Sequence, residues 1–373
     1  MDPSIYCKQS SDDYYLQLLR FARVSGWSEQ GYEANNQQNL IEILNSLPNE
    51  NIKSESILPP IYEKSLKTKT YEYLSAETQI FLKERTFKLL ATELAHDRWL
   101  ETTLEKFKLK DIPSILLKRA AFANNLYSET APRLGVDIDI LVKEKDFGAA
   151  CSILSTSMDP IVLSMKRLAT HDTLFERVFN SEDGSKPVVE IHRGLTNPYI
   201  FNIEQSELWE NSREHPAYNS EYVRILSPED TLLHLAVHAF RDLDFCTHNL
   251  LDTHEAWCQW KPDQEILLQR AKEWGAKNVL YYLLFNAKTI MATPIPESLL
   301  NCLRPGLVTN FINKNILRNK IIQPQLTKSL TSRIIQILSQ ITFPDSFLNT
   351  TRFQLNYLHT RIKDWKAVNN SFN

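Results

Sequence analysis

Apolar residues in the first 110 positions recur at the spacing of amphipathic helices. Over residues 12–24 and again over 36–47, apolar side chains lie three or four positions apart. Ser75 precedes a longer pattern of the same period over residues 78–106, and serine before such a run is a frequent helix N-cap. The pattern therefore predicts a helical region over residues 1–110.

Short runs rich in β-branched residues replace this periodicity near residue 111. Strand-like patterns cover residues 112–118, 136–142, 161–166, 173–179 and 188–195, and helical patterns cover residues 120–127 and 144–155. Strands that alternate with helices in so short a stretch indicate one compact unit. We predict an α/β module over residues 111–225.

Helical spacing returns after residue 226 and continues, with breaks, to residue 373. The sequence Ser227-Pro-Glu-Asp230 begins this region. Proline suits the first turn of a helix, and acidic residues there interact favourably with the positive end of the helix dipole. We therefore predict a C-terminal helical region over residues 226–373.

Composition excludes several protein classes. The chain of 373 residues is 43% hydrophobic and 23% charged, which is ordinary for a globular protein. A net charge of -3 gives no global indication of a nucleic-acid partner. With only 8 glycines there is no GxGxxG, and Tyr32-Glu33 follows Gly26 and Gly31 where a phosphate loop needs Lys-Ser/Thr. Any nucleotide must be held without these loops.

The cysteines and the apolar runs indicate in which cellular compartment the protein is expected. The 5 cysteines are scattered and form no CxxC, which argues against a disulfide framework and a zinc ribbon. The N-terminus lacks the layout of a signal peptide, and no run approaches the roughly 18 apolar residues of a membrane span. We expect a cytoplasmic protein with no membrane partner.

Two carboxylates alternate with isoleucines in the run Val136-Asp-Ile-Asp-Ile140. In a strand, Asp137 and Asp139 project to the same side, where they repel each other unless a cation lies between them. A hard divalent ion such as Mg²⁺ prefers such oxygen ligands. The alternative is an edge strand whose two acids simply meet water.

A third carboxylate, Glu190, lies in another alternating run, where it shares a face with Val188 and His192. If this strand pairs near the Asp137 strand, Glu190 completes a cluster of three carboxylates. Two metal ions held by such a cluster can clamp a triphosphate and activate a nucleophile. The alternative is a surface glutamate in an exposed hairpin.

Two further groups of residues allow a functional and a structural interpretation. His234 and His238 have a zinc-chelating spacing, with His248, Asp252, His254 and Glu255 nearby. Because Leu235 stands where HExxH has its glutamate, packing beneath the active face is the favoured interpretation. The basic stretch over residues 311–373 suits either an RNA-facing patch or, as we favour, the solvated face of packed helices.

The order of these residues resembles a known family. Along the chain it runs Lys118 after an apolar run, Tyr127, Arg133, Asp137-Ile-Asp139, Glu190-Ile-His192 and Leu232-Leu-His234-Leu-Ala-Val-His238. This order resembles the bacterial uncharacterised nucleotidyltransferase-like family within the polymerase-beta-like superfamily, over about residues 111–255. One departure is Arg119, where the family has a glycine, and Val136 replaces a small residue.

The resemblance implies an α+β fold with a mixed or antiparallel sheet, flanked by helical regions, and roles for individual residues. It implies that Asp137, Asp139 and Glu190 bind two Mg²⁺ ions, with Glu190 also accepting a proton. Lys118, Arg133 and, by its charge, Arg119 would bind the phosphates of ATP or another nucleoside triphosphate. The residues that would contact the acceptor or support the metal ligands are Tyr127, His192, His234 and His238.

The resemblance therefore implies an enzyme that transfers a nucleoside monophosphate, AMP from ATP, to a small molecule or peptide, in a biosynthetic setting. A second hypothesis is a toxin-like enzyme that nucleotidylates tRNA or a protein; the basic C-terminal stretch motivates it, but tRNA is not the favoured partner. A third is a non-catalytic binding or scaffold protein on the same fold, which Arg119 motivates.

Overall fold

The computed structural model describes residues 17–23, 25, 34–49, 57–127, 134–135, 137–160, 175–181, 186–196, 200–242, 248–313, 342–345 and 355. Arg133, the predicted strand over 161–166 and most of the basic C-terminal stretch lie outside these residues. Helices precede and follow a mixed sheet, which confirms the predicted α+β fold class. No described helix has the length and apolar content needed to span a bilayer.

The N-terminal region is helical, as its periodicity predicts. Its helices are α1 (residues 17–22 of the described chain), α2 (Ala34–Ser46), α3 (Leu58–Lys67) and α4 (Ala76–Lys108). The Ser75 hydroxyl accepts a hydrogen bond from the Thr78 backbone N–H at 3.2 Å, so this residue caps α4. Lys106 and Lys108 lie in the last turn of α4, where their positive charges interact favourably with the negative end of the helix dipole.

Seven strands of the described chain form one sheet. They are β1 (Ser114–Leu116), β2 (Asp137–Val142), β3 (Asp159–Pro160), β4 (Glu176–Asn180), β5 (Val188–His192), β6 (Arg213–Glu214) and β7 (Val223–Ile225). Their spatial order is β3-β4-β5-β2-β1-β7-β6. The β2–β5 and β1–β7 pairs are parallel and the other pairs antiparallel. Strand β2 therefore lies at the centre.

Short helices connect the strands, and some differ from the sequence pattern. Helix α5 covers Lys118–Phe122 rather than residues 120–127, because the Phe122 carbonyl accepts hydrogen bonds from three successive N–H groups in a turn. A 3₁₀ turn at Glu144–Asp146 precedes α6 (Phe147–Ser155). The pattern also missed β3, β6 and β7, which are too short to show alternation.

The remaining helices follow β5 along the chain, and all of them except α7 come after the last strand, β7. They are α7 (Gln205–Asn211), α8 (Pro228–Asp242), α9 (His248–Trp260), α10 (Gln264–Trp274), α11 (Lys277–Met291), α12 (Glu297–Leu303) and α13 (residues 307–313). Helix α8 begins at Pro228, as predicted. Asp263 caps α10 by accepting from two backbone N–H groups, and Gly275, with a φ of 69°, ends it in the left-handed conformation.

One hydrophobic core runs through all three regions of the chain. It includes Leu18 of α1, Ile140 of β2 and Leu283 of α11, each fully buried. All seven strands lie between Ser114 and Ile225. The division into 1–110, 111–225 and 226–373 stays a prediction, and the shared core indicates that the regions support each other.

Candidate active site

The two acidic strands are direct neighbours in the sheet. Strands β2 and β5 pair in parallel, with Asp139 opposite Glu190, so both side chains project from the same face. This pairing confirms the arrangement on which the predicted cluster depends. Ligand atoms of Asp139, Glu190 and His192 all lie within 4.8 Å of one another.

Lys118 stands at the end of β1 and faces this cluster. The Leu117 N–H donates to the Asp139 carbonyl at 3.1 Å, which holds the end of β1 against β2. Lys118 then turns away from the strand with a φ of 46°, a left-handed conformation that lysine rarely adopts. Its Nζ donates to Asp139 Oδ1 at 2.6 Å. Backbone strain at such a position is typical of functional sites.

Electrostatics keeps both members of this pair charged. Burial alone would raise the pKa of Asp139, but the Lys118 ammonium and a hydrogen bond from His192 hold it well below its ordinary value. Burial would likewise lower the pKa of Lys118, but Asp139 and Asp137 raise it. The pair is therefore a buried ion pair at neutral pH.

Asp137 is the first residue of β2 and is half-buried. It pairs with Val188 at the start of β5, one alternation before the Asp139–Glu190 pair. Its charge acts on Lys118, so it lies near the same cluster. The group of mutually close ligand atoms in the described chain is nevertheless Asp139, Glu190 and His192.

His192 lies between three carboxylates. Its Nε2 is 3.1 Å from Asp139 Oδ1 and 3.4 Å from Glu190 Oε2, and its Nδ1 is 3.6 Å from Glu176 Oε2. Burial alone would lower the pKa of His192, but hydrogen bonds to Asp139 and Glu190 raise it to about 9. The sequence places His192 on the correct face but does not reveal its contacts with three acids.

Glu176 is a site residue that the sequence pattern did not single out. It starts β4 and lies opposite His192 in the antiparallel β4–β5 pair. Arg241 of α8 donates to its Oε2 from Nη1 at 3.3 Å. Burial raises the pKa of Glu176, although the charge of His192 opposes this rise. The pairing of Glu176 with His192 in a β4–β5 hairpin is the signal that could have found it.

Helix α8 brings two histidines near the cluster. Burial and, after it, the Lys118 charge lower the pKa of His234 to about 3 and depress that of His238 further, so both rings are neutral. Their ring centroids are 6.3 Å apart. Arg241 Nη2 donates to His238 Nε2 at 3.0 Å, since a guanidinium can only donate.

The zinc interpretation of these histidines finds no support in the described residues, because neither belongs to a group of three close ligand residues there. His254 instead bonds Thr293 Oγ1 and the Ser25 carbonyl. The side chain of His248 lies outside the described residues. The alternative interpretation, packing near the active face, fits the burial of His234.

Tyr127 links the turn after α5 to helix α9. Its hydroxyl donates to Asp252 Oδ1 at 2.8 Å, and both side chains are buried. A buried hydrogen bond to a carboxylate stabilises the fold because its acceptor would otherwise lie unsatisfied. The contacts of Tyr127 thus join the turn after α5 to α9, and its predicted role at the site stays a prediction.

Arg119 makes contacts different from those expected of a phosphate ligand. The residue is only 1% exposed, and its guanidinium forms ion pairs with Glu93 and, at 3.3 Å, with Asp97 of α4. Its charge is therefore compensated by acidic residues of α4. These contacts give no support to the expectation that Arg119 binds phosphate, which stays a prediction.

The residues of the cluster fit a divalent cation. Asp139 Oδ2 is buried and has no hydrogen-bond partner among the described residues, and a buried unsatisfied carboxylate oxygen is costly. Carboxylate oxygens and a neutral imidazole nitrogen are ordinary ligands of divalent metals. Asp139, Glu190 and His192 can thus hold a metal ion, whose binding would displace the proton from the imidazole.

The fold and the site together define a nucleotidyltransferase-type enzyme: carboxylates on neighbouring strands of a mixed sheet face a buried lysine. A family model described as "Uncharacterised nucleotidyltransferase" matches residues 50–292, which include the sheet and every site residue described above. The chain belongs to this family and is an enzyme that transfers a nucleotidyl group. No curated protein and no solved structure matches the chain.

Proposed function

We propose that this enzyme transfers a nucleoside monophosphate, AMP from ATP, to a small-molecule or peptide acceptor with the help of Mg²⁺. The observation that carries the proposal is the group of buried Asp139, half-buried Glu190 and buried His192, whose ligand atoms lie within 4.8 Å of one another beside Lys118. Carboxylate oxygens that converge at one place on a sheet suit a cation that binds phosphate. The membership of the family supplies the reaction type.

The residues have separate roles in this reaction. Asp137, Asp139 and Glu190 would hold two Mg²⁺ ions, which neutralise charge on the phosphates when bound. Lys118 has three N–H donors and gives one to Asp139, which leaves donors for a phosphate oxygen. Arg133 remains a further phosphate-binding candidate outside the described residues.

The chemical step is an in-line displacement. An acceptor oxygen forms a bond to the α-phosphorus while the bond from that phosphorus to the bridging oxygen breaks, and pyrophosphate leaves. The acceptor proton passes to the Glu190 carboxylate. His234 and His238 are uncharged, so they place no second positive charge beside Lys118. We assign both histidines to the side of the site where the acceptor binds.

A screen of labelled nucleoside triphosphates tests the proposal. The purified protein is incubated with each nucleotide, Mg²⁺ and a panel of hydroxyl, phosphate and carboxylate acceptors, and label transfer and pyrophosphate release are measured. Asp139→Asn should lower turnover roughly a thousandfold, or about 4 kcal/mol of transition-state stabilisation. Asp159→Asn is the matched control, because Asp159 is an exposed strand residue on the sheet edge.

The other two hypotheses predict different results in the same screen. Label found only in added tRNA or protein supports the toxin-like enzyme. ATP binding without release of pyrophosphate from ATP, whichever acceptor is added, indicates a binding or scaffold protein. Full turnover in Asp139→Asn would show that the proposed metal ligands are wrong.

A further inference from the structure

We propose that His192 is itself a metal ligand through Nε2, that Glu176 orients its ring, and that the centre consequently favours Mn²⁺ over Mg²⁺. The inference rests on the proposed function, which places a divalent ion at this cluster. It changes the expected ligand set from three carboxylates to a mixed set of oxygen and nitrogen atoms. It also assigns a role to Glu176 and Arg241.

The position of Nε2 is the first support. This atom faces the two carboxylates that the proposed function assigns to the metal, 3.1 Å from Asp139 Oδ1 and 3.4 Å from Glu190 Oε2. The imidazole is 3% exposed, so it cannot turn to solvent without leaving the core. A cation bound to both carboxylates therefore meets this nitrogen and takes the place of the proton that Nε2 otherwise donates to Asp139.

The surroundings of Asp139 are the second support. Lys118 Nζ and His192 Nε2 both contact Oδ1, whereas Oδ2 is buried and has no hydrogen-bond partner among the described residues. The ion pair with Lys118 therefore leaves half of this buried carboxylate without compensation. A metal ion bound with the participation of Oδ2 would remove this cost.

The other ring nitrogen provides the third support. Nδ1 is buried without a hydrogen-bond partner among the described residues, Glu176 Oε2 lies 3.6 Å from it, and the strand register places Glu176 directly opposite His192. Histidines that bind metals almost always donate their second N–H to a carboxylate or carbonyl, which fixes the tautomer and the ring direction. Glu176 occupies the place of such an orienting carboxylate.

Two neighbours hold the orienting group and the ring. Arg241 donates to Glu176 Oε2 at 3.3 Å and, through its other terminal nitrogen, to His238 Nε2. The Phe175 ring packs over the imidazole of His192 with centroids 6.2 Å apart. Arg241 of helix α8 thus holds the Glu176 carboxylate in place, and Phe175 limits rotation of the His192 ring.

The ligand set determines which metal fits. Mg²⁺ demands near-ideal octahedral oxygen coordination and keeps much of its water. Imidazole nitrogen suits transition metals, and Mn²⁺ also accepts carboxylate oxygens. A site with one imidazole among carboxylates should therefore bind Mn²⁺ more tightly than Mg²⁺, and we expect at least a tenfold difference in dissociation constant.

Pulsed electron paramagnetic resonance on the Mn²⁺-loaded protein tests the inference. The wild type should show the electron spin-echo modulation of a directly bound ¹⁴N nucleus, and protein labelled with ¹⁵N-histidine should show the ¹⁵N pattern instead. His192→Gln should lose the modulation. Glu176→Gln should keep it but weaken Mn²⁺ binding roughly tenfold to a hundredfold.

The control and the contrary results are well defined. His215→Gln replaces another buried histidine near the far end of the sheet and should change neither the modulation nor the affinity. Absence of nitrogen coupling in the wild type, an unchanged pattern after ¹⁵N-histidine labelling, or Mg²⁺ affinity equal to that for Mn²⁺ would each overturn the inference. The isotope experiment shows without any variant that the ligand is a histidine, and loss of the modulation in a His192→Gln protein that is folded by circular dichroism assigns the ligand to His192.

These results separate the inference from the proposed function. Nucleotidyl transfer by a protein that binds Mn²⁺ without nitrogen coupling would leave the proposed function in place and remove the role of His192. Nitrogen coupling in a protein that transfers no nucleotide to any acceptor would establish the metal ligand and contradict the proposed reaction.

Discussion

Lys118 combines a buried charge with a left-handed backbone. Its φ of 46° and its position as the first residue of α5, just after β1, place the ammonium 2.6 Å from Asp139 Oδ1. A non-glycine residue in this conformation costs about 1–3 kcal/mol, and the ion pair offsets part of that cost. The side chain is thus retained at a backbone position that suits glycine better.

Two substitutions at this residue separate backbone strain from charge. Lys118→Gly and Lys118→Ala both remove the ammonium, but only glycine adopts a positive φ without strain. We expect Lys118→Gly to be more stable than Lys118→Ala by about 1 kcal/mol in urea unfolding. Both variants should lose nucleotidyl transfer to a similar extent. Equal stability of the two would contradict the left-handed conformation.

The predictable part of the site follows from local alternation and order. Alternation places Asp137 and Asp139 on one side of a strand, and the same holds for Glu190 and His192. The partners of Arg119 could not be predicted, since Glu93 and Asp97 lie in a helix that only the tertiary fold brings to α5.

At the scale of elements, His215 joins the segment between β6 and β7 to helix α5. Its Nε2 donates to the Ala120 carbonyl at 3.2 Å, and its Nδ1 accepts from the Ala217 N–H at 3.1 Å. The ring is therefore a neutral tautomer with both nitrogens bonded. Burial is the main reason that the pKa of His215 is lowered to about 4.

This lowered pKa predicts an acid-sensitive contribution to stability. In the unfolded chain His215 takes up a proton below about pH 6.5, whereas in the folded protein it stays neutral down to about pH 4. The free energy of unfolding should therefore fall between pH 6.5 and 4, by up to about 3 kcal/mol from this group, and change no further below that.

Comparison with His215→Gln isolates this contribution. The variant has no titrating ring, so the difference in unfolding free energy between the two proteins should be largest at pH 7 and shrink toward pH 4. Denaturant titrations at several pH values measure it. A difference that does not depend on pH would mean that the ring is not held neutral.

Element length explains which parts of the sheet could be predicted. Helix α4 repeats its apolar period many times, so its position follows from the sequence. Strands β6 and β7 contain 2 and 3 residues, which is too few for alternation to show. Backbone hydrogen bonds to neighbours define them, and β1 is the partner that makes β7 a strand.

At the scale of the molecule, helix α1 packs against the end of helix α11. Phe21 of α1 is fully buried in the common core. Arg20 and Arg23 donate to the carbonyls of Ile290 and Met291 at the end of α11. Residues more than 260 positions apart in sequence thus share one packing unit.

This packing predicts that a substitution of a buried residue of α1 destabilises the whole protein. Phe21→Ala should lower the free energy of unfolding by about 4 kcal/mol, because it leaves a cavity in the core. Phe87→Ala, at a position of α4 that is 55% exposed, should cost about 1 kcal/mol or less. Calorimetry should show one transition in both variants.

A separate low-temperature transition in Phe21→Ala, with the main transition unchanged, would show that the N-terminal region unfolds independently. That result would favour the boundary predicted near residue 110 as a true domain limit. A single shifted transition would mean that the three predicted regions form one cooperative unit.

The ion pair between Arg119 and Glu93 also constrains how this chain can diverge from its relatives. Replacing Arg119 alone with the glycine that the family resemblance shows would leave the carboxylate of Glu93, 5% exposed, in the core without its compensating charge. Neutralising Glu93 first would in turn leave the buried guanidinium of Arg119 without its ion pair to Glu93. Positions 93 and 119 are consequently expected to change together, and a descendant that carries only one of the two changes should be less stable than the parent.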